Sequence, residues 1–147
     1  MQLRTSIRDK LTESFIGRFV PKFVPGGEVV YAKDGSSNIN ETLIQELGIA
    51  LDSDQSMPDA MVYCRKRNWL FVAESATGNG LIDEEHLKKL VRRFGTASAG
   101  LIFVSVFQSR SRLAEHPSFP AWKTAVWAAD EPEHMIHFDG SRFMGPR

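Results

Sequence analysis

The chain has a single cysteine, Cys64, which excludes an intramolecular disulfide framework and suits a reducing compartment. Its place inside an apolar run makes it a core thiol. Net charge is also absent: 18 basic residues balance 18 acidic ones, so no global field announces a polyanionic partner. Any such partner has to be met by locally gathered positive charge. No apolar run approaches the roughly eighteen residues of a membrane span, and the N-terminus has no signal-peptide core. The expectation is a soluble, cytoplasmic protein without a membrane partner. What is present is ordinary globular material, 147 residues of which 42% are hydrophobic and 24% charged, enough for one domain over 1–147 with its own core.

The apolar periodicity orders the elements. Leu3, Ile7, Leu11, Phe15 and Phe19 recur every four residues, predicting an amphipathic helix to about Val20 that Pro21 and Pro25-Gly26-Gly27 stop. Glu28 to Ala32 reads as a strand, and Asp34 to Asn38 as a turn. Asn38 or Asn40 can cap a helix from about Glu41 to Leu47, ended by Gly48. After a loop over Asp52 to Met57 come two apolar runs, Asp59 to Cys64 and Trp69 to Glu74, joined by the polar tip Arg65-Lys66-Arg67-Asn68. Thr77 to Gly80 is a loop leading to a helix over about Asp83 to Phe94, with acids first and bases last, as the helix dipole favours. Gly100 to Val106 is apolar on both faces, which predicts an interior strand reached by crossover and paired in parallel. Ser109 can cap a short helix to Glu115, strands follow over Thr124 to Ala129 and His134 to Phe138, and Asp139-Gly140 turns toward Phe143. Together these predict an α/β domain with a mixed central sheet flanked by helices.

The hairpin carries the chemistry. If its four tip residues form the loop, Cys64 pairs with Trp69, and counting back sets Asp59 opposite Glu74 on one sheet face. Like charges placed so repel, and a carboxylate ending an apolar strand is costly to bury unpaired. A divalent cation removes both penalties. The alternative is a solvated acid that simply ends the strand.

Pro58-Asp59, fourteen intervening residues and Glu74-Ser75-Ala76 resemble the PD-(D/E)xK nuclease core. Through Met57 to Tyr63, Asn68 to Thr77, Ala99 to Val104 and Glu131 to Pro146, nearly the whole chain resembles the BsuBI/PstI family of type II restriction endonucleases. The resemblance implies a restriction-endonuclease-like fold, Mg2+ held by Asp59 and Glu74 with the carbonyl of Ser75 or Ala76 as a third ligand, and hydrolysis of double-stranded DNA by a homodimer within a restriction-modification system. It also implies that this chain corresponds to the C-terminal catalytic half, without the family's N-terminal recognition domain.

One departure matters. The motif's lysine, two residues after Glu74, is Ala76, so a basic group has to come from elsewhere. His86, Lys88 and Lys89 in the following helix are the candidates, with His86 or Lys88 expected nearer than Lys89. Where the family tends to carry a Ser-His pair and a Lys-Arg pair, this chain has Gly78-Asn79 and Glu85-His86. Thr77, Asn79, Lys89, Arg110 and Arg112 are the candidate DNA contacts, with Gln108 within reach. Glu41 or Glu46 can offer a third acid. The bland readings are solvated helix ends for the lysines and glutamates, and a solubilising tip for Arg65-Lys66-Arg67. His134 and His137, three apart on a strand, point to opposite faces and cannot share a zinc ion. Trp122, Trp127 and Phe143 read as core. Two rivals stand beside the endonuclease: a degenerate nuclease fold retained for DNA binding or assembly, and a nuclease acting on RNA or single strands.

Overall fold

A computed structural model describes residues 6–33, 37–50, 57–77 and 81–138. Its centre is a mixed seven-stranded sheet in the order β2-β1-β3-β4-β5-β6-β7. The strands are β1 (Glu28–Lys33), β2 (Ser37–Ile39), β3 (Ala60–Cys64), β4 (Trp69–Ser75), β5 (Gly100–Phe107), β6 (Thr124–Ala128) and β7 (Ile136–Phe138). The hairpin register is the expected one, with Cys64 opposite Trp69 and Ala60 opposite Ala73. β4, β5 and β6 run parallel, as the helix between β4 and β5 requires, and the outer pairs are antiparallel.

Helices cover both faces. α1 (Ile7–Ser14), a π-helical turn (Phe15–Phe19) and α2 (Val20–Phe23) follow one another without a break. Pro21 therefore does not end the helix at Val20. The wider π turn precedes it, and such turns accommodate a residue that cannot complete the α ladder. Leu11, Phe15 and Phe19 pack on Val62, Phe71 and Trp127. On the opposite face α4 (Glu84–Phe94) packs Leu90 and Phe94 with Met61, Leu70 and Val72. α3 (Glu41–Glu46) is capped by Asn40, and Gly48 follows it with φ +73°, the left-handed geometry that glycine tolerates. α5 (Arg110–Glu115) starts at Ser109, whose side chain caps it.

Several expectations change. Ser37 to Ile39 pairs with β1 as a strand, where a turn was predicted from its Ser and Asn content. Trp127 and Cys64 are buried, but Trp122 is 57% exposed because it sits in the loop before β6. His134 lies in the turn before β7, its amide donating to the Glu131 carbonyl, so only His137 is on the strand. The expected turn over Asp34 to Ser36, the loop over Asp52 to Ser56, the Asp139-Gly140 turn and Phe143 fall outside the described residues.

Candidate active site

Strand alternation puts Glu74 on the α4 face with Val72 and Leu70, and Ser75 on the α1 face. Asp59 sits one residue before β3, next to the Ala60–Ala73 pair that ends the hairpin ladder, and is buried, as is Glu74. The Asp59 main-chain N–H donates to Glu74 Oε1 at 2.9 Å, and the Ser75 N–H donates to Asp59 Oδ2 at 2.8 Å. Each acid is thus fixed by the other strand's backbone. The site occupies the C-terminal ends of β4 and β5, the usual position for ligands in parallel sheets.

Each helix layer contributes one basic group. From α4, His86 Nε2 lies 2.8 Å from Glu74 Oε2. This bond raises the His86 pKa above its ordinary value, against partial burial. From α1, Arg8 Nη1 donates to Asp59 Oδ2 at 2.5 Å, and Nη2 donates to the Thr77 carbonyl at 3.2 Å. Burial, helped by the Glu74 charge, nevertheless holds the Asp59 carboxyl above the usual range, because it outweighs what the Ser75 amide and Arg8 supply.

The approach to α4 is also fixed. Ser105, fully buried and paired with Glu74 across β4 and β5, accepts from the Ile82 N–H at 3.1 Å. Asp83 then caps α4 by accepting from the His86 N–H. A cleft of about 270 Å3 is lined by Asp83, Glu85, His86, Lys89, His116 and Ser118. A second, of about 360 Å3, is lined by Ile7, Ala76, Thr77, Gln108, Arg112 and His116. His116 belongs to both.

Of the sequence candidates, the structure brings Asp59, Glu74 and His86 together, with Lys89, Thr77, Gln108 and Arg112 on the adjoining clefts. Lys88 is exposed and, two residues from His86, projects from a different side of α4, whereas Lys89 is one turn from His86. The expected order of the two lysines is therefore reversed. Arg110 is exposed, and its amide binds Asp130 Oδ1. Asn79 lies outside the described residues. Glu46 is not a third acid for the pair: it joins Glu28 on Arg65 at the hairpin tip, the remote end of the strands. Glu41 is exposed in the first turn of α3. Arg8 escaped sequence reading, although it lies three, four and seven residues before Leu11, Thr12 and Phe15, on the buried side of its helix. The predicted stripe had Ile7 there, but Ile7 is 56% exposed.

The sequence pattern that defines the BsuBI/PstI restriction endonuclease domain matches residues 1–141. The chain belongs to that family. Within it, this member is 38% identical to the type II restriction enzyme BsuBI of Bacillus subtilis over 140 residues, 93% of this chain and 44% of that protein. It is 30% identical to the type II restriction enzyme AplI of Arthrospira platensis over 116 residues, 77% and 36% of the two chains. The solved structure of SdaI restriction endonuclease superposes with a TM-score of 0.83 at 35% identity, covering 96% of this chain and 46% of that one. This BsuBI/PstI-type chain therefore has a restriction-endonuclease fold and spans less than half the length of these relatives. No described helix is long and apolar enough to cross a membrane.

Two carboxylates at strand ends suit a hard, oxygen-seeking cation such as Mg2+, which keeps several waters and needs only one or two acids. Among the described residues no group of three or more His, Cys, Asp or Glu side chains forms a complete metal cage. Arg8 and the Ser75 main-chain amide both donate to Asp59 Oδ2.

Proposed function

We propose that the chain is the catalytic domain of a type II restriction endonuclease, hydrolysing phosphodiester bonds of double-stranded DNA with Mg2+ held by Asp59 and Glu74. The observation that carries this is the buried carboxylate pair, locked across the β3–β4 end, whose neighbours His86 on one side and Ala76 and Thr77 on the other line two clefts that also hold Lys89 and Arg112. When bound, the cation supplies charge neutralisation at the phosphate and a more acidic attacking water. Glu74 is oriented by the Asp59 amide and by His86, so its oxygens have little freedom to turn. His86 stands in for the motif lysine that Ala76 lacks. Lys89, Arg112 and Thr77 line the path of the DNA backbone, where charge-assisted contacts position the duplex without reading it.

Cleavage of both strands calls for two such sites, hence a homodimer, and the lone cysteine fits action in the cytoplasm. The test is cleavage of plasmid, single-stranded DNA and RNA with Mg2+ or Mn2+. Linearised plasmid from the parent, and none from Asp59→Asn or Glu74→Gln, is the expected result. Absence of cleavage at every metal concentration overturns it in favour of a degenerate nuclease fold, the reading that Ala76 supports.

A further inference from the structure

His86 reaches only the Glu74 side of the pair. On the Asp59 side the positive group is Arg8, from a helix outside the Pro58-to-Ala76 motif, and three observations define its position. Its fork spans two acceptors, Asp59 Oδ2 and the Thr77 carbonyl. Its main-chain oxygen accepts from Ser75 Oγ at 3.4 Å and Thr12 Oγ1 at 3.1 Å, which ties the base of the side chain to β4. Its side chain is 32% exposed, whereas the Asp59 side chain is 6% exposed, so the arginine lies at the solvent side of the buried acid. Ile7, the preceding residue, and Thr77, its acceptor, both line the cleft that holds Arg112.

We propose that Arg8 is a positioning residue of this site: it neutralises Asp59 while no divalent cation is bound, and turns to the substrate phosphate once a cation takes that place. It thereby supplies the fixed positive charge that Ala76 cannot. The inference rests on the metal-dependent reading above. Guanidinium and cation compete for one carboxylate, because like charges a few ångströms apart in a partly buried site repel strongly. The planar fork that bridges Asp59 and Thr77 also matches two phosphate oxygens, so release costs Arg8 little when DNA is present.

A residue that merely staples α1 to the sheet and one that competes with the cation give opposite results on removal. Mn2+ binding to the 147-residue chain is measured by calorimetry without DNA, for the parent, Arg8→Ala, Arg8→Lys and Asp59→Asn. Arg8→Ala is expected to bind Mn2+ about tenfold more tightly, the lower end of what an adjacent opposite charge does to proton binding by a carboxylate. Plasmid cleavage at saturating Mn2+ should fall at least about tenfold, with partial rescue by Arg8→Lys, which keeps charge but loses the fork. If Arg8→Ala does not fold by circular dichroism, Arg8→Gln carries the same comparison. Unchanged or weaker Mn2+ binding, or undiminished cleavage at saturating metal, overturns the proposal alone. A parent that binds no Mn2+, or binds it equally well as Asp59→Asn, overturns the metal reading and this one with it.

Discussion

Asp59 and Glu74 are joined through a main-chain amide: the Asp59 N–H donates to Glu74 Oε1 at 2.9 Å. An amide donor has no titration and no rotamer, so Glu74 stays aimed whether or not its neighbour is charged. Asp59→Asn and Glu74→Gln keep the volume and one acceptor oxygen of each side chain, so both variants should fold. Each should lose cleavage by more than about a hundredfold, since even outer-shell partners of metal ligands cost 10 to 100-fold. Single-turnover rates of purified proteins check this, and a parental rate in either variant removes it from the ligand set.

The His86–Glu74 contact predicts a pH dependence of the metal-free protein. His86 has its pKa raised above 6.5 by the bond to Glu74 and by the charges of Glu74 and Asp83, against burial and Lys89. The folded state then holds a proton more tightly than the unfolded chain. The resulting stability is fully present below about pH 6.5 and is lost as pH rises through the raised folded value. Thermal midpoints recorded across that window should decline for the parent, and the decline should be shallower for His86→Gln. Parallel curves would show that the contact has no such role.

Ser105 offers a test of how α4 is seated. Its hydroxyl accepts from the Ile82 N–H in a fully buried position, so Ser105→Ala leaves a buried donor unsatisfied. The expected cost is about 1–3 kcal/mol in urea unfolding. Cleavage should fall as well, because the segment that delivers His86 to Glu74 loses its anchor. A destabilised variant with parental cleavage would separate the anchor from the chemistry.

Charge at the two ends of the sheet should count differently. Arg112 lines the cleft with Ala76 and Thr77, whereas Arg65 is held by Glu28 and Glu46 at the hairpin tip. Arg112→Ala should weaken duplex binding and lower the slope of log affinity against log salt by about one, as losing one phosphate contact does. Arg65→Ala should change neither. Equal effects in fluorescence-anisotropy titrations would contradict this division.

The hairpin was legible because a four-residue tip sets register, and register then places every later side chain, including two acids fifteen residues apart in sequence. The parallel placement of β5 followed from an interposed helix of sufficient length. Arg8 was not legible, because its meaning depends on which side of a helix faces the sheet. Four-residue spacing from Leu3 placed Leu11, Phe15 and Phe19 in the core, as they are, but also Ile7, which is exposed, and it missed Thr12 and with it the side on which Arg8 lies. Lys88 and Lys89 were misordered by distance along the helix, when angle around it decides. Trp122 looked like core by composition, yet burial is set by tertiary position, and the loop before β6 leaves it outside.

The π turn at Phe15–Phe19 sets a rotational phase. A π turn holds one residue more than an α turn, and one residue is about 100° of helix rotation. Everything before Phe15 is therefore turned by that angle relative to a continuous α-helix leading into Val20. Deleting one residue within the turn would straighten the ladder and leave Val20 and Val24 in the core. Winding the same five residues as α-helix, with none removed, would instead swing Arg8 away from Asp59. The irregularity that lets Pro21 remain within the helix is thus what aims the first helix's guanidinium at the carboxylate pair.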